Sequence, residues 1–145
     1  MGRSALRVAV GAVVLAVAAA GLRADEPGKA VPVLQKWDGV VKDEALRKSS
    51  PMTGYVANEK AFAKLWKDWR PDEKEPKVDF EKEIVLVGVA SGPNRVTLQP
   101  FLNDKGDLTV HSRSTLIGGA GFGYGMVTVK REGIQTIKGK PIVNE

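Results

Sequence analysis

Phe62, Leu65, Trp66 and Trp69 stand at positions i, i+3, i+4 and i+7, so a helix with 3.6 residues per turn stacks all four on one face. That stripe predicts a helix from Glu59 to Trp69. Asn58 is placed to cap it, because its side-chain oxygen can accept from a first-turn amide that has no partner within the helix. Pro71 ends it, because the residue before a proline is pushed out of the α region. Lys60, Lys64, Lys67 and Asp68 fall on the opposite face. Such a helix must bury its rings against something flat and apolar. Trp66 and Trp69 therefore read as core residues rather than sugar-stacking platforms, with Trp37 open to either role.

The rest of the chain supplies the flat partner. Ile84 to Ala90 is a continuous apolar run of strand length, read as a buried central strand. After the turn Ser91-Gly92-Pro93-Asn94, the segment Val96 to Leu102 alternates, with Val96 and Leu98 on one face and Thr97 and Gln99 on the other; Pro100 points to an edge or a bulge. A second turn, Asn103 to Asp107, leads into Leu108 to Arg113, where Leu108 and Val110 face inward and Thr109, His111 and Arg113 outward, a hairpin pattern. Met126 to Lys130 and Ile134 to Lys138 are further strands, and Trp37 to Val41 and Met52 to Val56 are short ones. Asp43 to Lys48 either continues the first of these or makes one helical turn. Hairpin-length connections imply antiparallel pairing. The predicted fold is α+β, one amphipathic helix packed on a mainly antiparallel β-sheet.

The N-terminus has a different pattern. Arg3 and Arg7 precede an apolar run from Val8 to Ala20, followed by small residues, which reads as an export signal occupying residues 1–24. The run is short for a membrane span, which needs about 20 apolar residues. Cleavage fits after Ala20 or after Ala24; an uncleaved anchor is the competing reading. Residues 25–36, with Pro27, Gly28 and Pro32 among small and charged residues, read as a flexible tether, and residues 37–145 as one domain. The expected location is periplasmic or extracellular, with no integral membrane segment once the leader is cut.

Charge and composition narrow the chemistry. The whole chain carries 22 Lys and Arg against 17 Asp and Glu, but residues 1–24 contain Arg3, Arg7 and Arg23 and no acids. Removing those three leaves 19 basic residues against 17 acidic ones, a net charge of +2, with no dense basic stripe of the kind that neutralises phosphates. Nucleic-acid binding is not expected. The absence of Cys excludes disulfides, thiolate nucleophiles and Cys-ligated metals, and the single His excludes a two-His metal site within one chain. Gly118 to Gly125 contains no GxGxxG register and no Walker A ending, so it reads as a mobile loop or a close-packed strand edge rather than a phosphate cradle. Asn103 to Asp107 lacks the bidentate Glu and the spacing of a calcium loop and reads as a turn. No cofactor is expected.

Phe62, Leu65-Trp66, a Pro-containing loop, Val78-Asp79-Phe80, the strand Ile84 to Val89 and the hairpin after it together resemble the C-terminal domain of the protease complex subunit PrcB family of exported bacterial proteins, over roughly residues 52 to 131. Asp79-Phe80 beside the helix tryptophan is the most distinctive part. Two features depart from that pattern: Gly92-Pro93-Asn94-Arg95 replaces a Gly-Gly-Tyr type turn, and no lipid-accepting Cys is present. The resemblance implies a non-enzymatic envelope module with a protein partner in the cell envelope, a protease being one candidate.

From the residues themselves, Gln99, Thr109, His111, Arg113, Thr128 and Lys130 are candidate binding residues. If the hairpin and the Met126 to Lys130 strand are neighbours, these six share a solvent face of modest positive charge suited to an acidic ligand or partner. No catalytic or metal-ligating residue is assigned. His111 is the one conventional general base, and a small hydrolase is the alternative reading if a Ser, such as Ser91 or Ser114, or a carboxylate lies within about 3 Å of it. Ser112 points to the other face of the strand. A structural envelope component is a further alternative.

Overall fold

A computed structural model describes residues 28–144. The leader and residues 25–27 of the expected tether lie outside the described residues. Nine strands, one α-helix and a short 3-10 helix follow in chain order: β1 Lys29–Ala30, β2 Gln35–Val41, the 3-10 helix Glu44–Ser49, β3 Tyr55–Val56, α1 Glu59–Trp69, β4 Glu83–Ser91, β5 Val96–Leu102, β6 Asp107–Ser114, β7 Phe122–Lys130, β8 Thr136–Ile137 and β9 Lys140–Pro141. The fold is α+β, with the helix on a mainly antiparallel sheet. The strands form two sheets, of order β2-β7-β4-β3 and β1-β5-β6-β8-β9, in which only β6 and β8 run parallel.

The predicted helix forms over the expected residues. Asn58 Oδ1 accepts from the Ala61 amide at 2.8 Å, and the Arg70 amide returns to the Trp66 carbonyl at 2.6 Å just before Pro71. Phe62, Leu65, Trp66 and Trp69 are buried. They pack on Val85 and Val87 of β4 and on Phe122, Tyr124 and Met126 of β7. Burying an indole strands its N–H unless an acceptor is supplied. Trp66 Nε1 donates to the Glu73 carbonyl at 2.9 Å and Trp69 Nε1 to the Leu46 carbonyl at 3.0 Å. Trp37 joins this core in part, its ring centroid 5.8 Å from Phe62 and 5.6 Å from Trp66.

Successive strand residues point to opposite faces. The alternate residues of the same two strands, Ile84, Leu86, Val127 and Val129, therefore face away from the helix, into a second core with Val96, Leu98, Leu108, Ile134 and Ile137. The four-stranded sheet is thus the middle of three layers. This explains the unbroken apolar run of β4: a strand covered on both faces has no polar side to alternate with.

The glycine-rich segment departs from expectation. From Phe122 onward it is neither loop nor edge but the first half of β7, buried and paired on both sides, with β2 and with β4. A Cβ on Gly125 would lie 2.7 Å from the Val96 carbonyl oxygen, and one on Gly88 of β4 would lie 2.6 Å from a Leu98 methyl. Glycine is required here so that the second sheet can approach the first.

The expected tether is also corrected. Lys29 and Ala30 pair with Leu102 and Phe101, the Val31 amide donates to the Pro100 carbonyl at 2.9 Å, and the Leu34 amide donates to the Thr128 carbonyl at 2.9 Å. β2 begins at Gln35 rather than at Trp37. These residues are held by main-chain groups, which hydropathy patterns do not record. The last expected strand, Ile134 to Lys138, shortens to β8. Among the described residues no helix is long and apolar enough to cross a membrane.

Candidate functional site

The β5–β6 ladder sets the geometry of the candidate surface. Its register opposes Thr97 to Arg113, Gln99 to His111 and Phe101 to Thr109. All of these except the half-buried Phe101 are exposed. Leu98 and Leu108, one residue out of phase, are buried in the second core. The Phe101 and His111 rings lie 4.8 Å apart between centroids, tilted by 47°. Four predicted residues, Gln99, Thr109, His111 and Arg113, therefore come together on one rigid face.

Thr128 and Lys130 do not join them, because β7 belongs to the other sheet. Thr128 is fully buried, and its Oγ1 accepts from the Gln35 amide at 3.0 Å. A strand covered on both faces gives a Thr no solvent side to occupy. Lys130, at the exposed end of β7, lines a cleft of about 680 Å³ with Leu34, Asp79, Glu83 and Glu132. Thr97 and Phe101 complete the face in their place. Thr97 was readable from the same alternation, whereas the Phe101 contact required the register.

Beside this face, a groove of about 530 Å³ opens between β5 and the uncovered part of the middle sheet. Gly125 and Val127 belong to its lining, as do Thr97, Gln99, Lys36 and Asp38, and the Arg95 guanidinium reaches across to Asp38 at 3.8 Å. Thr97 and Gln99 are common to groove and face.

His111 carries the one expectation of catalysis. Among the described residues no hydrogen bond joins its imidazole to a Ser or a carboxylate, and Phe101 is its ring neighbour. The Ser91 hydroxyl instead accepts from Arg47 at 2.9 Å. Among the described residues no cluster of three or more His, Asp or Glu is arranged to hold a metal ion.

Two further clusters were not foreseen. Asn94, 3% exposed, uses its whole amide to tie the loop after β6 to the end of β4: Oδ1 accepts from the Ile117 amide at 2.6 Å and from Thr115 Oγ1 at 2.8 Å, while Nδ2 donates to the carbonyls of Ser91 at 2.6 Å and Ile117 at 3.0 Å. On the far side of the middle sheet, Arg70 donates to the Tyr124 hydroxyl at 2.9 Å and to the Glu73 carboxylate at 2.6 Å, and its guanidinium carbon lies 4.9 Å from the Trp66 ring centroid. Burial pushes the Tyr124 phenol above its ordinary value, a shift that the adjacent Arg70 charge partly opposes. Burial pulls the Arg70 guanidinium down, but its bonds to Glu73 and Tyr124 outweigh this, so it stays charged. Comparison with family models, with curated proteins and with solved structures returns no match.

Proposed function

We propose that the chain is an exported, non-enzymatic binding module of the cell envelope, and that the exposed β5–β6 face takes an acidic protein partner. The observation that carries this reading is the cross-strand set of Gln99 opposite His111 and Thr97 opposite Arg113. Donor-rich side chains there project from a ladder whose other side is locked into a core. Side chains held by a rigid scaffold lose little conformational freedom on binding. The adjoining groove, where Lys36 stands beside the paired Arg95 and Asp38, adds one further positive charge. The resemblance to the PrcB family makes a protease the partner class of choice.

The test is capture from envelope extract with the chain as bait, compared with a His111→Ala/Arg113→Ala variant. Both positions are exposed, so the variant should fold with its stability changed by no more than about 0.5 kcal/mol. A stoichiometric protease retained by the parent chain and lost by the variant supports the reading. Equal capture by both removes the face from it, and recovery of nothing but further copies of the chain supports a structural component instead.

A further inference from the structure

We infer that the loop of residues 115–121 is a lipid-docking element, seating Leu116 and Ile117 in the interface of an anionic phospholipid bilayer. This goes beyond the partner-binding face and does not rest on it. Leu116 is 97% exposed and Ile117 56% exposed. They are not displayed by a slack segment. Three hydrogen bonds of the buried Asn94 side chain hold the main chain of Ile117 on one side of Leu116 and the hydroxyl of Thr115 on the other, and the Thr115 amide adds a bond to the Arg95 carbonyl at 3.2 Å. Two adjacent large apolar side chains held outward on a built loop mark a contact surface. Gly118, Gly119 and Ala120, all exposed, follow with neither charge nor bulk to hold that tip away from a flat surface.

The surroundings of the loop select the occupant. Arg113 lies just before the loop at the end of β6 and is exposed. The Arg95 amide is bonded to Thr115 Oγ1. Arg47 reaches Ser91, whose carbonyl Asn94 holds, and the Lys42 backbone would lie 3.1 Å from a Cβ on Gly121. Three acids are near these cations. Asp38 lies 3.8 Å from Arg95 and Glu44 lies 3.2 Å from Arg47, while Asp43 accepts from the Ala45 amide. No ion pair among the described residues engages Lys42 or Arg113. Lys42 and Arg113, the two of these cations outside any ion pair among the described residues, flank an apolar tip, an arrangement that binds anionic lipid when the tip enters the acyl boundary and the cations meet the headgroups.

The chain contains no Cys, so Leu116→Cys creates one labelling site for an environment-sensitive NBD dye in the full chain. Asp104→Cys places the same dye at the opposite end of β6 as a reference. With equimolar phosphatidylglycerol and phosphatidylcholine vesicles, the label at position 116 should shift to the blue and become shielded from iodide. With phosphatidylcholine alone, or at high salt, both effects should fade. Lys42→Gln in the labelled chain should weaken the vesicle affinity about fivefold, the value of one basic residue at an anionic surface. The label at position 104 should not respond. No shift at position 116 on anionic vesicles overturns the inference, as does an equal shift at position 104, which would make the contact general rather than local. A shift that grows with protein concentration in the absence of lipid overturns it in favour of a second copy of the chain.

Discussion

The backbone carbonyl of Asn94 occupies the space that a side chain on Gly123 would need. The turn after β4 is thereby pressed onto β7, and the same Asn94 sends its side chain the other way to hold the loop that shows Leu116. One residue thus couples the packing of the two sheets to the shape of the exposed tip. The neighbour that a new Cβ would strike is main chain, which cannot swing aside as a side chain can.

Gly123→Ala should therefore destabilise the fold by about 3 kcal/mol or more, the upper range for overpacking a filled interior. Gly118→Ala is the matched control, because a Cβ there meets nothing within 4 Å and its φ is not positive. It should be neutral, or stabilising by up to about 1 kcal/mol through the unfolded chain. Urea unfolding midpoints at unchanged slope test the pair.

Asn94→Ala deletes four hydrogen bonds and leaves the partly buried main-chain groups of Ile117 and Ser91 without those partners. A cost of about 2 to 4 kcal/mol is expected, more than one net hydrogen bond provides because unpaired groups retain their desolvation penalty. Amide exchange at Ile117 should accelerate before the rest of the domain is affected. If exchange there matches the parent, Asn94 does not hold the loop.

Tyr124 gives stability a dependence on alkaline pH. Its folded-state pKa lies above the unfolded value near 10, with burial as the main cause, so the folded chain keeps the phenolic proton longer than the unfolded one. That contribution is complete below about pH 10 and is lost as pH rises through the folded-state value. Tyr124→Phe should remove this part of the alkaline decline while costing about 1 kcal/mol at neutral pH for the lost Arg70 hydrogen bond. Thermal unfolding of parent and variant between neutral pH and pH 11 checks both statements.

Asn58→Ala should cost about 1 kcal/mol through loss of the cap, and Asn58→Asp should retain most of it because a carboxylate accepts from the same first-turn amide. Chemical denaturation distinguishes the two.

The parts of the fold written in side-chain periodicity were legible before the structure. The aromatic stripe, Asn58 and Pro71 delimit α1 from Glu59 to Trp69, and the two alternating runs joined by Asn103 to Asp107 locate the β5–β6 hairpin and four residues of its outer face. Features carried by the backbone were not legible. β1 and the start of β2 are held by main-chain amides and carbonyls in a short Pro-containing stretch that shows neither hydrophobic period. The first half of β7 is built from glycines between rings, which have no hydropathy signal although they are where the two sheets come closest. Thr128 was misplaced because alternation identifies a solvent face only when one exists. The role of Asn94 had no precursor in the sequence, since a polar residue in a turn usually faces water and its burial depends on a loop some 20 positions later.

The order of pairing also bears on when this chain can close. Its first two strands find their partners near the other end, Lys29 beside Leu102 and Gln35 beside Thr128. The four-stranded sheet is not complete until β7, ending at Lys130, has folded back onto β2, nor the five-stranded one until β9 at Lys140–Pro141 is in place, and contacts of such long sequence separation form slowly. Until then only local pieces such as α1 and the β5–β6 hairpin can hold together. Both cores draw on β7, through Tyr124 and Met126 on one face and Val127 and Val129 on the other, so neither can close before that strand is in place.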